Sequence, residues 1–224
     1  MIVFENVEKG YINPETNRFQ SVLRIDDYSV PNGRHLAVSG PSGTGKTTLL
    51  HLISGLLKPE QGQITINNVA ISGLSESERD RFRADNIGYV FQSFNLLDGF
   101  TALENVKVGL MFSGKGAKKH QAEHMLDRVG LADRMHYKPS QLSVGQQQRV
   151  CIARALVNNP DILLADEPTG NLDPATSAEV LQLLKETAAG KILITVTHEQ
   201  DVINQFDHQL NIERFTQPST QEAV

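Results

Sequence analysis

Gly40-Pro41-Ser42-Gly43-Thr44-Gly45-Lys46-Thr47 is the stretch on which the reading of this chain turns. Its spacing is Gly-x-x-x-x-Gly-Lys-Thr, in which glycines let successive backbone N–H groups converge on an anion and the lysine adds positive charge. His35-Leu36-Ala37-Val38-Ser39 before it reads as a short strand. After it, apolar residues recur at Leu49, Leu50, Leu52 and Ile53, then Gly55 and Pro59 close the run as they close a helix. Four fixed positions match by chance in a chain of this length at odds of roughly one in a hundred. The strand-loop-helix setting lowers those odds further. The expectation is a nucleotide site built from Gly40, Pro41, Ser42, Gly43, Thr44, Gly45, Lys46, Thr47 and Thr48, with Lys46 on the β and γ phosphates and Thr47 on Mg²⁺.

Upstream, β-type runs at residues 2–7 and 22–25 flank the turn-rich Asn13-Pro14-Glu15-Thr16-Asn17 and read as an antiparallel edge. Downstream, residues 64–66 and 87–91 read as further short strands, with a charged helical stretch at 76–83 between them. Beyond Gln92 the pattern is helical for about fifty residues. Thr101 with Glu104 makes a capping box, Ser113-Gly114-Lys115-Gly116 breaks the chain, and Ala122, Met125, Leu126 and Val129 share one helix face ended by Gly130. A second box, Ser143 with Gln146, opens a helix that stops at Asn158-Asn159-Pro160.

Ile162-Leu163-Leu164-Ala165 is a continuous apolar run, the mark of a strand covered on both faces in a parallel sheet. It delivers Asp166 and Glu167 to the strand's carboxyl end, where open α/β sheets bind ligands. Asp173 caps a helix with Pro174 at its first position, and another buried strand follows at 192–196. Strand, helix, strand implies a parallel crossover. The fold class is α/β with a mostly parallel sheet: one domain over 1–224, its core at 1–92 and 159–224, and a helical insertion at 93–158. The polar stretch 216–224 reads as a frayed tail.

Asp166 suits the water shell of Mg²⁺, and Glu167 is placed to polarise an attacking water. An Asp-Glu pair ending a strand is usually a solvated turn, but a phosphate loop upstream favours the catalytic reading. His198, closing the strand Thr195-Val196-Thr197-His198, is taken alone as consistent with a structural histidine as with a functional one. Gln92, also at a strand end, says nothing by itself. The helix at Leu142-Ser143-Val144-Gly145-Gln146 opens on small residues and free N–H groups, an anion-accepting end, yet lies nearly a hundred residues from Lys46. The residues alone do not say which anion it meets, and a plain capping box would look the same.

Composition narrows the classes. The 224 residues suffice for one α/β domain and not for two motor units. No stretch approaches the ~18 apolar residues of a membrane span, and Met1-Ile2-Val3-Phe4-Glu5 opens no secretory leader. A net charge of −5 argues against a surface that coats nucleic acid. The single cysteine, Cys151, fits a reducing cytoplasm and reads as a small buried helix residue.

With these motifs in this order, the chain closely resembles the nucleotide-binding subunits of ABC transporters over nearly its whole length. The resemblance implies the ABC ATPase fold, a phosphate-loop core with an inserted helical subdomain. It implies that Ser143, Gly145 and Gln146 meet the γ-phosphate bound on a second copy of the chain, so that two chains sandwich two ATP molecules. By the same match Tyr11 stacks on adenine, and Gln92 senses Mg²⁺ and couples to the membrane partner. Asp173 communicates across the dimer, and His198 holds the γ-phosphate and the attacking water. Phe91-Gln92-Ser93-Phe94-Asn95-Leu96-Leu97 and Pro168-Thr169-Gly170-Asn171-Leu172-Asp173 look like the branch of lipoprotein-release, macrolide-export and cell-division ATPases. That branch implies an integral membrane permease as partner, and a place on the cytoplasmic face of the inner membrane. Val144 departs from the pattern, where the signature usually has glycine. An ATPase that gates an extracytoplasmic enzyme through its permease would share this sequence, whereas a phosphate-loop kinase would leave the Ser143 helix unexplained.

Overall fold

Alternation of buried side chains decides how this chain divides its core. The computed structural model describes residues 1–113 and 120–216. In chain order the elements are β1 (Ile2–Ile12), β2 (Phe19–Val30), β3 (His35–Ser39), α1 (Lys46–Ile53), β4 (Gln61–Ile66), β5 (Val69–Ala70), α2 (Glu76–Asn86) and β6 (Ile87–Val90). They continue with α3 (Ala102–Val108), α4 (Gln121–Arg128), α5 (Val144–Leu156), β7 (Ile162–Asp166), α6 (Pro174–Thr187), β8 (Ile192–Val196), α7 (Gln200–Ile203) and β9 (His208–Asn211).

Five strands form a parallel sheet in the order β6-β7-β8-β3-β9. Every residue of β7 and β8 is buried, as their unbroken apolar runs require. Ile162 and Leu164 point to one face with Val38, Ile194 and Val196, where α1 and the N-terminal strands pack. Leu163 and Ala165 point to the other, with Ala37, Val90 and Leu193, under residues of α3, α4, α5, α6 and α7. The period of two thus sorts one strand's residues between two cores.

The antiparallel edge expected at the N-terminus is a sheet of its own, order β2-β1-β4-β5. It recruits the strand at 64–66 and lengthens the hairpin to Ile12 and Phe19. The turn between falls where the proline and asparagines put it: Asn13 Oδ1 accepts from the N–H groups of Glu15 and Thr16.

Capping chemistry holds where the sequence places it. Thr101 with Glu104 and Ser143 with Gln146 close reciprocal boxes, and Asp173 accepts from the backbone of Ala175 and Thr176. Each such cap contributes about 1 kcal/mol. The run after Gln92 is less helical than its pattern suggests, because α3 does not begin until Ala102. The buried Asn105 side chain is the reason: it accepts from Leu97 N–H and donates to the carbonyls of Leu97, Phe100 and Thr101, satisfying a loop that would otherwise seek helical partners. The break expected at 113–116 lies outside the described residues from Gly114 onward, as does the tail from 217.

Cys151 lies in α5 at 1% exposure, its Sγ donating to the Phe94 carbonyl, and burial pushes its thiol up to about 12. That is an inert, structural thiol. Among the described residues no helix is long and apolar enough to cross a membrane.

Candidate functional site

The turn from β3 into α1 places Gly40, Gly43 and Gly45 at φ +146°, +79° and +93°. At Gly45 the need for glycine is double: the backbone is left-handed, and a Cβ there would lie 3.0 Å from Val22 Cγ1 and from Leu23 Cδ2. Val22 is there because the β1–β2 register slips between Lys9 and Gly10, leaving it as the extra residue of a bulge. Lys46 is 6% exposed, and its ammonium donates to the carbonyls of Gly40 and Pro41, both at 2.8 Å. Thr44 Oγ1 donates to the same Pro41 carbonyl. The lysine therefore spans the loop from beneath.

Thr47 Oγ1 donates to Asp166 Oδ2 at 2.9 Å, joining the first turn of α1 to the end of β7. Burial pushes the Asp166 carboxyl above its ordinary value, the Thr47 hydroxyl opposes this, and Glu167 beside it adds a further upward push. The folded state then holds this proton more tightly than the unfolded chain does. Stability falls as pH rises from the ordinary value near 4 through the raised folded value, and the loss stays in full above it. We expect Asp166→Asn, free of nucleotide, to melt above wild type at neutral pH, the gap closing as pH drops below about 4. Thermal denaturation across a pH series checks this, and a gap that widens in acid would refute it.

Glu167 follows at φ +44°, directly before Pro168. A non-glycine residue in that region costs about 1–3 kcal/mol and persists only where the surroundings over-determine it. Its N–H donates to the Val196 carbonyl at 2.9 Å, and its carbonyl accepts from Gly170 N–H at 3.2 Å. Both carboxylate oxygens are engaged: Gln92 Nε2 donates to Oε2 at 3.2 Å, and His198 Nδ1 lies 2.9 Å from Oε1. An ionised carboxylate only accepts, so Nδ1 carries the proton. Asn171 Nδ2 donates back to the Gln92 carbonyl.

Around these groups lies a cleft of ≈ 390 Å³ lined by Tyr11, Val22, Ser42, Gly43, Gly45, Lys46, Thr47, Thr48, Gln92, Asp166 and Glu167. His198 joins it through Glu167. Ser143, Gly145, Gln146 and Asp173 do not line it. They form a second surface, where Gly145 lies so close to α6 that a Cβ would sit 2.5 Å from Thr176 Cγ2. Thr176 in turn donates its hydroxyl to Asp173 at 2.6 Å, which holds the Asp173 carboxyl below the usual range. Val144 stands 46% exposed at the start of α5. A larger groove of ≈ 800 Å³ opens elsewhere, on Ile87, Tyr89, Phe91 and the 73%-exposed Met111 and Phe112, with Arg81 and Arg154. Its Tyr89 stacks on Phe91 at 4.2 Å and neighbours His51 of α1 at 6.1 Å. Sequence reasoning missed Val22, whose bulge leaves no local signature.

This geometry has close counterparts. The sequence profile described as ABC transporter matches residues 23–170. The lipoprotein-releasing system ATP-binding protein LolD of Legionella pneumophila is 45% identical over 94% of this chain and 93% of its own. The macrolide export ATP-binding/permease protein MacB of Bdellovibrio bacteriovorus is 42% identical over 90% of this chain, which spans 31% of that longer protein. Among solved structures, a dimeric post-hydrolysis state of the ATP-binding cassette MJ0796 of Methanocaldococcus jannaschii, bound to ADP and Pi, aligns over 95% of both chains with a TM-score of 0.84 at 39% identity. The chain belongs to the ABC transporter family, as an ATP-binding and ATP-hydrolysing cassette of the branch that includes LolD and MacB.

Proposed function

We propose that this cassette powers export, or the transmission of motion across the membrane, through a separate integral permease, working as a homodimer that closes on two ATP molecules at the cytoplasmic face of the inner membrane. The observation that carries its hydrolytic step is the Glu167 carboxylate, held by Gln92 and His198 and lining the same cleft as Lys46. A carboxylate so held is a general base with fixed aim.

In this reading Tyr11, 49% exposed, offers its ring to adenine, a contact worth roughly 1–3 kcal/mol by analogy with stacked nucleic-acid bases. The loop from Gly40 to Thr48 cradles the phosphates, and the Lys46 ammonium turns from its loop carbonyls to the β and γ oxygens. Thr47, Asp166 and Gln92 present hard oxygen donors, which fit Mg²⁺ and would hold it. When bound, Mg²⁺ neutralises charge on the β and γ phosphate oxygens. Glu167 takes a proton from the water that attacks the γ phosphorus while the bond to the β-phosphate oxygen breaks. His198 keeps the carboxylate aimed.

Ser143 and Gln146, with Gly145 packed on α6 between them, are offered to the nucleotide of a second copy, and Asp173 lies beside them to register its approach. The dimeric state of MJ0796 supports this assembly. Residues 93–158 then act as the arm that carries Ser143, and the rest as the nucleotide-binding core. The groove on Tyr89 and Phe91 suits an apolar segment of the permease, and its stacked floor reaches α1 through His51. Purification of the tagged chain from detergent-extracted membranes of its own host is expected to bring down an integral membrane protein. Recovery of a soluble partner with no membrane protein would overturn the permease reading.

A further inference from the structure

We propose that Gln148 is a positioning residue for hydrolysis: it fixes the Pro168–Thr169 peptide, one beyond Glu167, and so ties the aim of that carboxylate to helix α5. The proposal rests on the reading of Glu167 as the base.

Gln148 lies in the second turn of α5 and is 1% exposed. Its Nε2 donates to the Pro168 carbonyl at 2.8 Å, in a fully buried bond. Its Oε1 has no partner among the described residues. The orientation of the amide follows from its neighbour. Turned over, it would press its own oxygen against the Pro168 carbonyl, and Pro168 has no N–H to offer in return. A buried amide with one idle end costs stability that methionine or leucine would not, so packing does not explain the glutamine. The donor does.

The peptide it holds adjoins the residue that needs holding. Glu167 is left-handed and precedes a proline, a combination that the backbone alone disfavours. Within the strand-end turn, Val196 and Gly170 bind the N–H and carbonyl of Glu167 itself. Gln148 adds the next peptide plane, and it does so from a different helix. Beyond the backbone the carboxylate is steadied by Gln92, which is exposed, and by the side chain of His198, which is 57% exposed. Both of those bonds end on the carboxylate itself, while the turn beyond it is also held by Asn171 Nδ2 on the Gln92 carbonyl and by Thr169 Oγ1 on Glu199. Helix α5 also meets the far end of the same loop, where Gly145 packs on Thr176 and Thr176 bonds Asp173. The helix that starts at Ser143 and the loop from Glu167 to Asp173 are thus joined at both ends of the loop.

The test uses the full chain. Gln148→Met keeps the volume and removes the donor. We expect kcat to fall roughly 10- to 100-fold, as a small misplacement of a catalytic group does, with the Kd for Mg-ATP unchanged within about twofold. In a Glu167→Gln background, Gln148→Met should leave the ATP-dependent dimer as abundant as in the single variant. A purely structural role would instead lower ATP affinity and dimerisation together with kcat, and would overturn the proposal. So would a wild-type kcat for Gln148→Met beside an inactive Glu167→Gln, whereas turnover by Glu167→Gln itself would overturn the base reading. Should Gln148→Met fail to fold, Gln148→Glu decides. Its carboxyl donates to Pro168 only while protonated, so turnover should lose ground to wild type as pH rises. A pH profile parallel to wild type would overturn the proposal.

Discussion

Glu167→Gln is expected to bind Mg-ATP at least as well as the unaltered chain and to lose turnover by about 10²- to 10⁴-fold, the range that general-base catalysis supplies. The substitution keeps the shape of the side chain and its partners. His198 Nδ1–H still finds an oxygen at Oε1, and Gln92 restores its contact by turning its own amide. What is lost is the capacity to accept a proton from water. The charge is lost too, and with it the repulsion between a carboxylate and the γ-phosphate. Closed, ATP-loaded dimers should therefore accumulate, visible by size-exclusion chromatography as a species that requires ATP. Hydrolysis at the wild-type rate would remove Glu167 from its role, and with it the central step of the mechanism.

How Gln92, Glu167 and His198 come to share one carboxylate shows where sequence reading reaches its limit. They are separated along the chain by 75 and 31 residues, and no local pattern links them. The parallel register does. Val90 pairs with Ala165 and Asp166 pairs with Val196, so the positions two beyond Val90 and two beyond Val196 emerge on either side of Glu167. The apolar runs of β7 and β8 announced buried strands, but their order in the sheet is a property of the packed core. Local chemistry was legible where one segment carries its own logic: the glycine spacing of the loop, the three capped helices, the Asx turn at Asn13. It was not legible where a segment's structure depends on a distant partner. Strand β9 is short and mostly exposed, and exists because β3 offers it an edge. Residues 93–101 carry a helical pattern, but the Asn105 side chain satisfies their backbone as a loop. Val22 enters the cleft through a bulge fixed by the pairing of two strands.

The sharpest loss of affinity is expected at Lys46. The ammonium is nearly buried and is held by two loop carbonyls, Gly40 and Pro41, so the loop is already curved around a positive charge before any phosphate arrives. Phosphate oxygens compete for that ammonium with neutral carbonyls, a contest that a polyanion wins because charge-assisted bonds are the stronger. Lys46→Ala removes both the attraction and the strut. The two carbonyls are left facing inward without their donor, and repel the same oxygens the loop is shaped to receive. We expect the affinity for Mg-ATP, measured by equilibrium binding, to fall at least about 100-fold, equivalent to roughly 2.7 kcal/mol. Lys46→Arg should not restore it. A planar guanidinium with a fixed fork cannot replace a compact point charge that serves two carbonyls from below the loop. Unchanged affinity in the alanine variant would mean that the phosphates bind elsewhere. The outcome also separates two contributions to the site: if Lys46→Ala loses affinity while Glu167→Gln keeps it, the loop binds and the strand end hydrolyses, and the two functions reside on different sides of the same cleft.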